Sequence, residues 1–179
     1  DLTLVGEAPP DLGGESLLPG RVRLPRGTAI PDLAGFAEGR WWVQDLAASL
    51  PARLLGPGPG FALDLCAAPG GKTLQLAAAG WQVTALDISS SRLARLSDNL
   101  RRTGLTAQVE AADVMAWQPP EPADAVLLDA PCSATGIFRR HPDVLHRVRP
   151  AGIAELARRQ REMLARAADW VRPGGRLVY

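Results

Sequence analysis

The chain has 179 residues, 46% of them apolar, and a formal net charge of +1; that is enough to bury one good core and a small appendage. No run of about 18 apolar residues occurs, which excludes a helix spanning a bilayer, and the chain does not open with the basic-then-apolar pattern of a secretory leader. Two cysteines, Cys66 and Cys132, are too few for a disulfide framework, so the thiols are read as reduced and the chain as cytoplasmic.

The small net charge hides an asymmetry. Residues 1–138 carry 10 basic and 15 acidic side chains, whereas residues 139–179 carry 10 arginines against 4 acids. A basic segment of this kind suits a phosphate-bearing substrate and equally suits an arginine-rich solvated helix face; charge alone does not choose between them. Lys72 is the single lysine.

Residues 1–40 are rich in proline and glycine (Pro9-Pro10, Gly13-Gly14, Pro19-Gly20) around short β-like pieces at Leu2–Val5 and Arg21–Leu24. They read as the frayed remnant of a preceding small domain. Trp41-Trp42 follows, expected in the core or at an interdomain contact, and Asp45 is placed to cap a helix reaching about Leu55. Gly56-Pro-Gly-Pro-Gly60 is a turn and not a dinucleotide loop, because proline lacks the backbone N–H such a loop needs. Strands are predicted at Phe61–Cys66, Gln82–Leu86, Ala107–Glu110 and Ala123–Leu128. Helices are predicted at Lys72–Ala79, at Ser89–Thr103 with Leu93, Leu96 and Leu100 on one face, and at Ile153–Val171. Pro173-Gly-Gly175 is expected to stop the last helix before a strand at Arg176–Tyr179. Apolar strands alternating with helices predict a parallel sheet covered on both faces. Asp1 and the apolar Leu-Val-Tyr end both read as cropped.

The stretch Asp64-Leu-Cys-Ala-Ala-Pro-Gly-Gly-Lys-Thr73 joins a strand to a helix through a glycine turn. Glycine permits positive φ and close backbone approach to a ligand, and Lys72 with the helix N-terminus would face a negative group. A P-loop requires glycine where Cys66 stands, and the G-x-G-x-x-G spacing is absent. What remains is acids at successive strand ends. Asp64 precedes the turn, Asp87 is suited to two ribose hydroxyls, and Asp113 is placed to meet an adenine edge; the set fits S-adenosylmethionine. Asp129-Ala-Pro-Cys132 follows a strand expected beside the first, which brings Cys132 into a loop of small residues facing the same cleft, where a thiolate can be supported. Cys66 reads as packing.

Four phrases, Val43-Gln44-Asp45, Asp64 to Thr73, Asp129-Ala-Pro-Cys-Ser-Ala-Thr-Gly136 and Arg139-Arg-His-Pro-Asp143, resemble the RNA (cytosine-5) methyltransferases of the Sun/Nop family, with bacterial 16S rRNA members the nearest likeness. The likeness covers residues 35–179; residues 1–34 resemble loosely the tail of that family's RNA-recognition-like subdomain. It implies an α/β fold, a Rossmann-like class I methyltransferase with a doubly wound sheet, here truncated after the fifth strand of seven and preceded by the remnant of a small α+β subdomain. It implies S-adenosylmethionine held by Cys66, Ala67, Ala68, Pro69, Gly70, Gly71, Lys72, Asp87, Asp113 and Asp129, and RNA, namely 16S rRNA, held by Arg139, Arg140 and His141. No metal, no membrane and a monomeric intact protein go with it. Catalysis would fall to Asp129 and Cys132, with Cys132 assisting product release and the attacking cysteine in a Thr-Cys pair just past the fifth strand. This sequence ends before such a pair, so the chain as given is expected to bind and not to turn over. DNA enzymes attack with a Pro-Cys thiol, which leaves Cys132 open as the attacker. A class I methyltransferase for protein or a small molecule would keep Asp64 to Gly71 and Asp87, but gives no reason for a Pro-Cys loop followed by arginines.

Overall fold

A computed structural model describes residues 1–6, 12–138 and 142–179, apart from the side chains of Leu145 and Arg147. The first unit is a four-stranded antiparallel sheet of β1 (Leu2–Leu4), β2 (Glu15–Leu18), β3 (Arg21–Arg23) and β4 (Trp41–Val43), in the order β2-β3-β1-β4. Alternation sorts its faces. Leu2, Val22 and Trp41 gather with Leu12 into a small core of their own. Thr3, Arg21 and Trp42 occupy mutually paired positions and are buried as well.

Gln44, directly after β4, joins this sheet to the rest. Its Oε1 accepts from Thr3 Oγ1 at 2.7 Å and Trp42 Nε1 at 3.1 Å, while its Nε2 donates to Gln75 Oε1 at 2.7 Å. Arg102 adds a second tie, lying 4.3 Å over the Phe36 ring and donating to the carbonyls of Phe36 and Trp41.

The larger unit alternates α1 (Leu46–Leu55), β5 (Phe61–Leu65), α2 (Gly71–Ala78), β6 (Gln82–Asp87), α3 (Ser90–Thr103), β7 (Gln108–Ala111), β8 (Ala123–Leu128), α4 (Val144–Arg147), α5 (Pro150–Asp169) and β9 (Val171–Val178). Its five strands are parallel in the order β7-β6-β5-β8-β9. Strand parity decides which helix each residue meets. Ala62, Val83, Ala125 and Leu127 pack with Leu55 and Leu76 of α1 and α2, and Ala85 with Leu93, Leu96 and Leu100 of α3. Leu63, Leu65, Leu86, Val126 and Leu128 pack on the other face against Met163 and Ala167 of α5. Burying five such side chains is worth about 2 kcal/mol each, or roughly 10 kcal/mol before the entropy of ordering is subtracted.

The ends of the elements depart from the sequence reading in three places. α5 starts at Pro150, not Ile153, because a proline with fixed φ suits the first helical position. It ends at Asp169, where the Trp170 N–H turns back to the Ala167 carbonyl. Pro173-Gly-Gly175 is therefore not the stop: it lies inside β9, where the pairing with β8 shifts register and Gly174 takes φ +80°. β9 is the outer strand on its side, tied to α1 by Arg176 Nη1 donating to the Leu55 carbonyl at 2.9 Å.

Candidate active site at the carboxyl edge of the parallel sheet

Register builds the site. Leu65 of β5 pairs with Leu86 of β6 on one side and Leu128 of β8 on the other. The next residue in each strand is Cys66, Asp87 and Asp129, so a thiol and two carboxylates arrive side by side. The chain leaves β5 toward β6 and later returns to place β8 on its other flank, so this is the point where strand order reverses and ligands of open α/β sheets bind.

The loop from β5 to α2 is held tightly. Cys66 takes φ 62°, in a region that L residues seldom adopt, and Ala67 N–H donates to the Leu86 carbonyl at 2.9 Å. A cis peptide joins Ala68 to Pro69, and Gly70, at φ +104°, precedes α2. The sequence argument gave these glycines to ligand approach; the structure shows in addition that they are closely packed. A Cβ on Gly70 would lie 2.3 Å from Leu96 Cδ1, and one on Gly71 3.2 Å from Gln44 Nε2.

The acids divide by environment. Asp64 faces α2, fully buried, and accepts from Thr73 Oγ1 at 2.5 Å; its other oxygen is a buried acceptor without a partner among the described residues. Burial pushes its carboxyl up to about 7, against the lowering effects of the Thr73 hydroxyl and the Lys72 charge. It supports the turn and does not line the cleft, which corrects its grouping with the other acids.

Asp87 Oδ2 accepts from Ala68 N–H at 3.1 Å and Oδ1 from Ser89 N–H at 2.9 Å, with Arg92 Nη1 3.6 Å away. Asp113 Oδ1 accepts from Met115 N–H at 2.9 Å, and Oδ2 meets Arg159 Nη2 at 3.3 Å. The negative group that Lys72 faces is the protein's own: Lys72 Nζ lies 2.8 Å from Asp129 Oδ2.

Cys66, Ala68, Asp87, Asp113, Asp129 and Cys132 line one cavity of about 270 Å³. Ala67, Pro69, Gly71 and Lys72 line a recess on the other side of the turn, with Trp42 and Gln44, and it shares Ala68 and Asp129 with the first; Gly70 lines neither. Arg139, Arg140 and His141 lie outside the described residues.

Sequence reasoning missed Ile88, Arg92 and Met163 of the lining, and counted Arg159 only within the basic segment 139–179, whereas it crosses to Asp113. Ile88 carried a signal, an apolar side chain directly after a strand-end acid, and it stands exposed at the cavity.

The two thiols differ. Burial, followed by the charges of Asp87, Asp129 and Asp64, pushes the Cys66 thiol up to about 12, so it stays protonated. Cys132 is exposed, and its loop is anchored by Gln160 Nε2 donating to the Pro131 carbonyl at 2.8 Å. Cys132 also borders a second cavity of about 380 Å³ with Ala134, Ile137, Val148, Ile153 and Leu156.

A doubly wound parallel sheet with acids at the ends of adjacent strands and a glycine turn at the reversal point has the fold of a class I methyltransferase. The chain belongs to the 16S rRNA methyltransferase RsmB/F family, whose model matches residues 54–179. It is 47% identical, over 167 residues and 90% of its length, to the ribosomal RNA small subunit methyltransferase B of Klebsiella pneumoniae (strain 342), and 46% identical over the same extent to that of Salmonella arizonae. The chain spans about two fifths of the length of these curated relatives, 39% in each case. Among solved structures, PH0851 superposes with a TM-score of 0.86 at 30% identity, over 98% of this chain and 44% of that one. NSun6 from Pyrococcus horikoshii with SFG superposes with a TM-score of 0.75 at 31% identity, over 84% and 40%.

Proposed function

We propose that this chain forms the cofactor-binding and thiol-bearing core of an enzyme that methylates C5 of a cytidine in 16S rRNA. The observation that carries the reading is the single cavity in which Asp87, Asp113, Asp129 and the exposed Cys132 thiol meet.

The residues fit S-adenosylmethionine. Each Asp87 oxygen takes one backbone N–H, and a carboxylate oxygen has room for another donor, such as a ribose hydroxyl. Ile88, Val114 and Met163 give the apolar wall an adenine needs, and the surrounding carboxylates suit a sulfonium cation. When bound, the cofactor supplies an electrophilic methyl group.

The pyrimidine explains the thiols. C5 of cytosine is a weak nucleophile until a thiolate adds to C6, forming a C–S bond and leaving an enamine. After C5 is alkylated, its proton must leave, and the C6–S bond breaks with its electron pair returning to sulfur. Cys66 is unsuited to attack because its thiol is held protonated. Cys132 is given the release step, with attack left to a cysteine in a Thr-Cys pair following β9; on that division this chain alone binds cofactor and RNA without turnover. Lys72 holds Asp129 beside the Cys132 loop, where the carboxylate can accept from the cytosine amino group. Arg139, Arg140 and His141 are assigned to phosphates flanking the target base, and the cytoplasm, where ribosomal RNA is found, is the compartment assigned.

The test uses methyl-labelled S-adenosylmethionine, 16S rRNA and the full-length protein. Label at cytosine C5 supports the assignment, and label on a base nitrogen overturns it. Turnover by the present chain would make Cys132 the attacker.

A further inference from the structure

We infer that the junction between the N-terminal sheet and the parallel core holds a phosphate-binding site built on Arg21 and Arg53, separate from the cleft. Arg21 opens β3 and is 3% exposed. A buried guanidinium is ordinarily neutralised by a carboxylate, and among the described residues none reaches it. Among the described residues its side chain makes one hydrogen bond, to Gln44 Oε1 at 3.5 Å, an acceptor that already serves Thr3 and Trp42 at shorter range. Its Nε is buried with no partner among the described residues. The charge that acts on it is of the same sign: burial, then the Arg53 guanidinium, bring Arg21 down to about 10 from 12.5.

Both arginines line a cavity of about 330 Å³, together with Thr3, Gly20, Pro57 and Gln75. Two cations lining one cavity, one of them with a donor left unpaired among the described residues, call for an anion, and the planar guanidinium fork matches phosphate oxygens two at a time. A phosphate carries up to two negative charges and several acceptor oxygens, which a single carboxylate does not.

The place is distinct from the cleft. The cavity is bordered by Ala78 and Ala79 at the C-terminal end of α2 and by Gly56 and Pro57 before β5. Lys72, at the N-terminal end of α2, pairs with Asp129 of the cleft; the helix separates the two ends by roughly 12 Å at 1.5 Å per residue. The phosphate is either free in solution or part of an RNA backbone; only the second source rests on the function proposed above.

The experiment follows thermal unfolding of this chain in rising inorganic phosphate, with ionic strength held constant by sodium chloride. A saturable rise in the midpoint is expected, and Arg53→Gln, a change at an exposed position, should weaken the apparent phosphate affinity about tenfold, the worth of one charge-assisted hydrogen bond. No saturable rise in the wild type, or the same rise in Arg53→Gln, would overturn the site. A second arm titrates a short single-stranded RNA at several salt concentrations. If the RNA backbone is the source, Arg53→Gln lowers the salt slope by about one phosphate contact. An unchanged slope alongside a lost phosphate response assigns the site to a free phosphate. Neither arm requires methyl transfer, so failure here leaves the proposed activity standing, and failure of that activity leaves the phosphate titration intact.

Discussion

Replacing Gly70 by alanine separates packing from ligand approach as the reason for the glycine turn. Gly70 has φ +104°, a conformation that costs an L residue about 1–2 kcal/mol. The new Cβ would also lie 2.3 Å from Leu96 Cδ1 and 3.0 Å from Leu96 Cβ and Cγ. Leu96 is fully buried and cannot swing into solvent, so relief requires a shift of α3 worth about 1–3 kcal/mol. The two contributions sum to about 2–5 kcal/mol, a large share of the 5–15 kcal/mol that holds an ordinary domain. Leu96→Ala alone costs about 2–5 kcal/mol for the lost leucine. In the Leu96→Ala background the overlap with the side-chain end vanishes, and Gly70→Ala should cost only the backbone share. Urea unfolding of the four proteins gives the coupling directly, expected at about 1–3 kcal/mol. Equal costs of Gly70→Ala in both backgrounds would refute the reasoning. So would an unchanged stability paired with a sharp loss of S-adenosylmethionine affinity, which would return the glycine to the ligand.

Three further outcomes are expected. Folded Asp64 keeps its proton up to about 7 while the unfolded side chain releases it near 3.8, so the wild type loses stability as pH rises through that interval. Asp64→Asn should therefore gain on it by roughly 4 kcal/mol between pH 4 and 8 in urea titrations, at 1.36 kcal/mol per unit, and a pH-independent difference would contradict the assignment. Gln160→Leu removes the donor to the Pro131 carbonyl and should cost about 1 kcal/mol. In the full-length protein it should lower kcat with S-adenosylmethionine affinity kept; lost affinity with kcat kept would remove the residue from the Cys132 loop. Cys132→Ala in the full-length protein should leave RNA covalently attached, seen as a denaturant-resistant band, whereas continued turnover without that band would end the release role.

The sequence showed the fold wherever one rule governed. Apolar runs bounded by turns placed β5, β6 and β8, because strands covered on both faces admit few polar residues. The junction of β8 with β5 then brought Asp129 and Cys132 to the cleft without any side-chain detail. Where two roles compete for one residue, the sequence is silent. Pro173-Gly-Gly175 stops a helix or kinks a strand equally well, and pairing of Val171 with Ala123 decided for the strand. Asp64 and Asp87 both occupy strand ends, but Asp64 precedes the Leu65–Leu86 pair and stays buried against Thr73 of α2, whereas Asp87 follows that pair and reaches the cavity. Gln44 looked like part of a motif phrase, and its function as the joint between two sheets depends on partners 41 and 31 residues away in the chain. Arg159 meets Asp113 across 46 residues, a pairing that a charge count over a helix cannot reveal.

The same field explains why the site needs a thiol away from the glycine turn. Burial above all, and then the charges of Asp87, Asp129 and Asp64 in that order, hold the Cys66 thiol protonated. A potential that opposes a thiolate favours a cation at the same place, by the same Coulomb argument with the sign reversed. A sulfonium cofactor is thus stabilised where a cysteine nucleophile is not, and the two demands of the proposed cytosine methylation fall at different points of one cavity. Lys72 pairs with Asp129 at 2.8 Å, which offsets part of the negative field in the cavity that Asp129 lines. Lys72→Met should therefore strengthen the negative field in that cavity, favouring a sulfonium cation and opposing a thiolate there. The expected readout is a pH–rate profile in the full-length enzyme that moves to higher pH with cofactor affinity kept or raised. A profile unmoved by the loss of that charge would show that the field does not govern thiol ionisation here.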